Sequence, residues 1–134
     1  MSEDLTPPLD LRSTHVHFLD GGTAEPIEVT DQFWPDLMSG KLVLSGRLVT
    51  VGRATADWPH WEMHPEGEEL VVLMTGSVDL IVERGGKMLR CELREPGDTW
   101  LNLRGDWHRA IVNEPADMLF ITHGAKTQHR PVET

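Results

Sequence analysis

The most restrictive feature of this sequence is a glycine or proline turn signal that recurs every eight to twelve residues or so from Gly52 onwards. Between these turn signals lie short runs rich in β-branched and large apolar residues, each long enough for one strand. Eight strands are predicted, over residues 42–51, 58–64, 70–75, 78–83, 88–93, 99–103, 108–113 and 118–122. A chain divided in this way has no room for the crossover helices of a parallel sheet, so an antiparallel sandwich or barrel is expected.

Two local patterns refine this prediction. The pair Gly85-Gly86 is the clearest hairpin turn, because both residues can take positive φ and match the twist of the flanking strands. Residues 30–40 offer a possible N-cap, a few apolar residues and a terminal glycine, which predicts the only helix. We therefore expect an all-β fold, an antiparallel jelly-roll β-barrel with one short N-terminal helix.

A chain of 134 residues has the size of a single domain. Within it we expect an N-terminal arm and short helix over residues 1–40, the barrel over 41–124 and a C-terminal tail over 125–134. The 22 acidic and 12 basic residues give a net charge of −10, which repels phosphate backbones and anionic lipids, so neither nucleic acid nor a membrane is an expected partner. The single cysteine, Cys91, cannot form an internal disulfide, and a cytoplasmic protein is expected.

Potential metal ligands are concentrated in residues 60–69. His60, Glu62 and His64 alternate, so on a strand they share one face. Residues two apart are separated by about 6.7 Å, which two side chains can bridge with one ion, whereas His60 and His64 lie about 13 Å apart. Glu62 and His64 can therefore share a metal, and His60 is expected to line the pocket. After the turn at 65–67, a strand beginning at Glu69 would return towards His64.

These spacings resemble the first motif of the cupin superfamily, which can be written His-x-His, three or four residues, Glu, six residues, Gly. The sequence has Glu62-x-His64, four residues, Glu69, six residues and Gly76. Glu62 thus stands where the family has its first histidine, and Ala56 holds the position of the opening glycine.

The second cupin motif runs Gly, five residues, Pro-x-Gly, two residues, His, three residues, Asn. Here Gly97 is followed by Leu103 in place of the proline, then by Gly105 and His108, with Asn113 one residue later than the pattern has it. The resemblance covers residues 42–122 and is to the small, single-domain (RmlC-like) cupins.

The resemblance implies a small jelly-roll barrel with one divalent metal, whose ligands would be Glu62, His64, Glu69 and His108. Two imidazoles and two carboxylates suit Mn²⁺, Fe²⁺, Ni²⁺ or Zn²⁺. Glu62 has two roles open to it at this point: a fourth ligand, which would favour the harder ions, or a free catalytic base beside a metal held by the other three. A third interpretation is a polar cluster in which the acids and histidines bond one another without an ion.

The remaining histidines lack a ligand pattern. His15 and His17 alternate without an acid at a suitable spacing, and His123 and His129 flank the tail, so all four are expected at the surface or at strand edges.

For function, the resemblance implies oxygenase or isomerase chemistry on a small organic molecule at one metal. The alternative is a non-enzymatic cupin module that senses a small molecule or metal and acts through a protein partner. A homodimer is also expected, because Leu70, Val72 and Met74 make one face of a strand apolar while Val71 and Leu73 make the other face apolar as well.

Overall fold

The computed structural model describes residues 3–133, which contain nine strands and one short helix. In chain order these elements are β1 Thr14–Phe18, β2 Ala24–Glu28, α1 Phe33–Ser39, β3 Arg47–Ala54, β4 His60–Met63, β5 Glu69–Arg84, β6 Lys87–Leu93, β7 Thr99–Asn102, β8 Trp107–Thr122 and β9 Gln128–Pro131. Among residues 3–133, no helix combines the length and the apolar character needed to cross a bilayer.

Two 16-residue strands, β5 and β8, organise the sheet by pairing antiparallel along their whole lengths. Their first pairing places Glu69 opposite Thr122, and Val82 lies opposite His108 near the other end. The half of this ladder that contains Glu69 is flanked by β7 on one side and by β3, β1 and β2 on the other, and we call this the first sheet. The half that contains His108 is flanked by β6 and by β4 and β9, and forms the second sheet.

A break in register bends both long strands at the junction of the two sheets. The pairing of β5 with β8 shifts at three steps between Leu73 and Val78. Gly76 lies within the break with φ +86°, and a Cβ atom at this position would lie 2.1 Å from the carbonyl oxygen of Pro115. The break also changes which residues of β5 face inward. Val71 and Leu73, at odd positions, are buried before the break, and Val78 and Leu80, at even positions, are buried after it.

The inward faces of the two sheets enclose the main hydrophobic core. Its fully buried members are Val71, Leu73, Val78, Leu80, Val82, Leu93, Ala110, Ala116 and Met118. A second, smaller cluster forms where Phe33 of α1 packs with Leu44 and Leu48. The short helix is therefore held against the first sheet by Phe33 and Leu37 rather than by its own length.

The antiparallel class, the single helix and the hairpin are confirmed. Helix α1 lies inside the predicted segment, and Gly85 and Gly86 have φ +56° and +79° between the paired residues Arg84 and Lys87. The predicted strands 70–75 and 78–83 are joined in β5, and those at 108–113 and 118–122 are joined in β8.

Three strands were not predicted, and closure differs from the expectation. β1, β2 and β9 lie in segments that the sequence assigns to the arm and the tail, yet β1 pairs with β3, β2 pairs with β1, and β9 pairs with β4. Over residues 3–133 the strand pairing does not run around a closed circuit, so the jelly roll is open at its edges rather than a continuous barrel. The division of the chain at residues 40 and 124 stays a prediction.

Candidate metal centre

The four predicted ligands meet at one point between the two sheets. Glu62 lies on β4, His64 directly follows that strand, Glu69 begins β5, and His108 is the second residue of β8. One ligand atom from each residue can be chosen so that all four atoms lie within 4.8 Å of one another. His64, Glu69 and His108 are 4%, 3% and 1% exposed, so three of the four side chains are buried.

Local geometry brings Glu62, His64 and Glu69 together. Glu62 and His64 are two residues apart and face the same side, and the turn at 65–67 returns the chain to Glu69. Gly67 allows this turn to lie against the C-terminal segment, because a Cβ atom there would lie 2.4 Å from the Cβ of His123.

His108 is paired with Glu62 across β8 and β4, but it reaches Glu69 only through the bend of the long strands. Glu69 and the partner of His108, Val82, lie 13 residues apart on β5, which corresponds to about 43 Å in a straight strand. In the folded chain Glu69 Oε1 is 3.2 Å from His108 Nε2. The centre therefore depends on the bend at Gly76.

Each imidazole presents its Nε2 atom to both carboxylates. His64 Nε2 lies 3.0 Å from Glu62 Oε1 and 3.2 Å from Glu69 Oε2. His108 Nε2 lies 3.6 Å from Glu62 Oε1 and 3.2 Å from Glu69 Oε1. Despite these distances, neither Nε2 has a partner in hydrogen-bond geometry among residues 3–133. The two nitrogen atoms are thus directed towards a shared point rather than along a line to one oxygen atom.

The opposite nitrogen of each ring has an acceptor that fixes its hydrogen. His64 Nδ1 lies 2.7 Å from Thr127 Oγ1, whose own hydroxyl donates to the carbonyl oxygen of Gly124 at 2.8 Å, so Nδ1 is the donor to Thr127. His108 Nδ1 lies 3.4 Å from the carbonyl oxygen of Asp106, which can only accept. In its neutral form, each ring therefore carries hydrogen on Nδ1 and a lone pair on Nε2, which is the form that binds a metal.

The electrostatics of the cluster call for additional positive charge. Burial alone would lower the pKa of each histidine, but contact with Glu62 and Glu69 outweighs it and raises the pKa of His64 to about 9 and that of His108 to about 10. Burial alone would raise the pKa of Glu69, but the two imidazoles lower it to about 2. The pKa of Glu62 is likewise held well below its usual range, against the effect of burial, by contact with the histidines.

A divalent cation fits this arrangement. In the metal-free protein, protons on the two Nε2 atoms supply this charge, although neither ring is aligned for a hydrogen bond to a carboxylate. An ion at the shared point would use both lone pairs and both carboxylates at once. The donor set of two nitrogen and two carboxylate ligands suits Mn²⁺, Fe²⁺, Ni²⁺ or Zn²⁺.

Comparison with solved structures identifies the fold. An oxalate oxidase matches 61% of this chain and 45% of its own with TM-score 0.52 and 16% identity. A hydroquinone 1,2-dioxygenase matches 60% of this chain and 59% of its own with TM-score 0.51 and 21% identity. A cupin-2 domain protein from Shewanella frigidimarina matches 57% of this chain and 69% of its own with TM-score 0.46 and 13% identity. The chain has the cupin fold.

The resemblance to these structures lies in the fold rather than in overall sequence. No protein-family model and no curated protein sequence matches this chain. The chain also spans about half the length of the two enzymes that it matches. The activities and substrates of those enzymes therefore support only a proposal for this chain.

Beyond the four candidate ligands, this cupin fold supplies hydrogen-bond partners that the sequence did not reveal. Glu69 accepts from Asn102 Nδ2 at 3.1 Å and from Thr122 Oγ1 at 2.6 Å. Trp100 Nε1 donates to Asn102 Oδ1 at 2.8 Å, which fixes the orientation of the amide. Asn102 and Thr122 are opposite Glu69 on the neighbouring strands, so inward alternation was an available signal for both. Thr127 lies in a turn and had no such signal.

The other candidate residues have different positions. His60 is exposed and does not join the cluster, but its ring lies 5.3 Å from that of His129. The surface prediction for His15 and His17 is wrong, since both are 3% exposed on β1, where neighbouring strands on both sides and α1 cover them. His129 on β9 approaches the centre, with Nε2 3.4 Å from Glu62 Oε2.

Proposed function

We propose that this chain is a small metal-binding cupin that acts on a small organic molecule by oxygenase or isomerase chemistry. The observation that carries the proposal is the convergence of two unpartnered Nε2 atoms and two carboxylates at a buried point of the cupin fold. Two proteins of similar fold are named as enzymes, one solved with glycolate and one with Cd²⁺ and 4-hydroxybenzonitrile, which supports a small organic substrate.

Three buried residues would hold the ion. His64, Glu69 and His108 are fixed by hydrogen bonds on the side away from the shared point, so they are preorganised for binding. A bound divalent ion would act as a Lewis acid towards an oxygen atom of the substrate.

Glu62 is the residue that connects the centre to solvent. Its side chain is 26% exposed, and while Oε1 faces the two imidazoles, Oε2 faces His129 at 3.4 Å. The first oxygen atom can complete the ligand set, and the second can accept a proton from a substrate that enters at this side. Glu62 is thus proposed both as fourth ligand and as catalytic base.

Elemental analysis of the purified, untagged protein tests the metal site. We expect near-stoichiometric manganese, iron, nickel or zinc in the wild type, and its loss from His64→Ala and His108→Ala while circular dichroism shows that both remain folded. His60→Ala is the matched control, since His60 is exposed on β4 and should keep full occupancy. A wild type that stays free of metal after reconstitution, or alanine variants that keep full occupancy, would refute the assignment.

A Glu62→Gln variant separates the two roles of Glu62. If the carboxylate is a ligand, the variant should bind the ion about 10-fold or more weakly, as the loss of a supporting group at a metal site typically does. Retained affinity with lost turnover would identify a base that does not coordinate the ion.

A non-enzymatic sensing module is the second candidate, and one observation favours it. His64, Glu69 and His108 are at most 4% exposed, so Glu62 alone among the four gives access to solvent. Such limited access suits an ion that is bound for sensing rather than for catalysis on a substrate. Turnover of any member of a panel of small diketones, sugars and hydroxy acids would establish an enzyme. Saturable binding of such molecules without turnover would establish the sensor.

We also propose that two copies associate through the outer face of the first sheet. Phe18 and Leu101, 49% and 46% exposed, line a groove of about 760 Å³ on this face. The same groove carries Arg47 and Arg104 together with Asp20, Glu66 and Glu68. A surface with both charges can meet its own copy across a two-fold axis with each arginine near an acid, which favours a homodimer over an acidic or a basic partner.

A further inference from the structure

We infer that the C-terminal turn, residues 124–127, is part of the metal centre, and that Thr127 is a positioning residue that keeps the Nε2 lone pair of His64 available to the ion. The inference rests on the proposed metal site. It extends that site from residues of the cupin motifs to a segment that no motif covers, and it couples binding of the ion to docking of β9.

The hydrogen-bond chain through Thr127 has a fixed direction. The single hydroxyl hydrogen of Thr127 is donated to the carbonyl oxygen of Gly124 at 2.8 Å. The oxygen atom is therefore free only to accept, and it does so from Nδ1–H of His64 at 2.7 Å. Because His64 is 4% exposed, water cannot readily replace this contact.

Without this acceptor, the two carboxylates would favour the wrong form of the ring. Glu62 Oε1 and Glu69 Oε2 lie 3.0 and 3.2 Å from Nε2, so their negative charge would favour moving the hydrogen of a neutral His64 from Nδ1 to Nε2, even without an aligned hydrogen bond. That form blocks the lone pair that a metal needs. Thr127 opposes the shift by giving the hydrogen on Nδ1 its own partner.

The turn that carries Thr127 is held in place by the ligand-bearing segments. The backbone N–H of Thr127 donates to the carbonyl oxygen of Gly124 at 3.2 Å. Lys126 adopts φ +60°, a conformation that residues other than glycine rarely take. Lys126 Nζ lies 3.3 Å from Glu66 Oε1, which joins this turn to the one that leads into Glu69. A strained turn that is held by contacts beside a site is typical of functional segments.

The register of β9 explains why the turn reaches His64. Glu62 pairs with His129 and Met63 with Gln128, so one further step along the same register places Thr127 beside His64. Both candidate ligands from the β4 segment therefore have a polar partner in the C-terminal segment. An ion that holds Glu62 and His64 in place should stabilise docked β9, and docked β9 should raise the affinity for the ion by the same factor.

The test compares Co²⁺ binding to the full chain and to three variants, by competition with a chelating dye and by the visible spectrum of the bound ion. Thr127→Val keeps the shape of the side chain but removes the acceptor, and should weaken binding by about 10- to 100-fold. Thr127→Ser restores the acceptor and should return the affinity and the spectrum to those of the wild type. Thr99→Val is the control, because the hydroxyl of Thr99 at the start of β7 donates to the carbonyl oxygen of Gly97 in an exposed position, away from the centre.

The outcomes separate this inference from the proposed function. A wild type that binds no Co²⁺ would refute the metal site itself, and this inference with it. A wild type that binds, with Thr127→Val equal to it, would refute the positioning role alone. If Thr127→Val does not fold, amide exchange of residues 128–130 in the wild type decides: Co²⁺ should slow it, and an unchanged rate would refute the coupling.

Discussion

At the scale of single residues, the two buried histidines should make the metal-free protein less stable as pH rises. The pKa values of His64 and His108 are about 9 and about 10 in the folded chain, above the usual 6.5. The stability that they contribute is therefore fully present below about pH 6.5 and is lost as pH rises through 9 to 10. We expect the melting temperature of metal-free protein to fall across this window.

Thermal unfolding followed by circular dichroism from pH 6 to 10, with a chelator present, measures this effect. His108→Gln removes one of the two groups and should flatten the profile, whereas His60→Gln, at an exposed position, should leave it unchanged. A wild-type profile that is flat or rises with pH would show that the histidines are not held by the carboxylates.

The residue scale is also where sequence reasoning succeeded best. Glu62, His64 and Glu69 lie within eight residues, so strand alternation and one turn were enough to place them together. His108 was placed by its resemblance to a motif, because it joins the other three through the pairing of β8 with β4 and the bend of two long strands, which no local pattern encodes. Thr127 was missed because its role depends on the register of β9 against β4, which no local pattern encodes.

At the scale of elements, Gly76 in the register break of β5 does more than form a turn, because its lack of a Cβ atom allows Pro115 of β8 to approach closely. A Cβ atom at Gly76 meets Pro115 at 2.1 Å, whereas at Gly97, with a similar φ of +95°, it meets nothing within 4 Å. Gly97→Ala thus measures the cost of the backbone conformation alone, about 1 kcal/mol. Gly76→Ala adds the steric clash and should lower the free energy of unfolding by about 2–4 kcal/mol.

Urea denaturation of the two alanine variants at equal pH checks this difference. Equal losses of stability at the two positions would mean that β5 and β8 can separate at the bend without cost. Metal affinity should follow the same order, since the bend sets the distance between Glu69 and His108.

The sequence patterns did not predict that neighbouring strands would join to form the long strands β5 and β8. Gly76 and Pro115 are both turn formers, so each was taken to end a strand. The structure places Gly76 and Pro115 against each other across the ladder of β5 and β8. There the two strands bend and shift register, but they remain paired on both sides of the bend. β2 was missed for a related reason: Pro26 interrupts a short run that only its pairing with β1 stabilises.

At the scale of the whole molecule, the outer groove of the first sheet predicts a dimer. We expect sedimentation velocity at micromolar concentration to show two copies, and Leu101→Asp to yield a folded monomer because it places a charge in the apolar part of the groove. Met88→Asp is the matched control, since Met88 is 58% exposed on β6 of the second sheet and should remain dimeric. A monomeric wild type, or a dimer that persists in Leu101→Asp, would exclude this face as the interface.

The bend of the long strands has a further consequence for the order of folding. Glu69 and Thr122, which begin and end the ladder, are separated by 53 residues, and pairings of such long range form late because loop closure opposes them. The hairpin at Gly85-Gly86 can form locally, but it joins β5 only to β6 and does not include His108. An ion that is bound by both Glu69 and His108 can bind only after β8 has paired with β5 and the two strands have bent. In a refolding experiment, the visible absorption of bound Co²⁺ would therefore report when the two sheets come together, rather than when individual strands form.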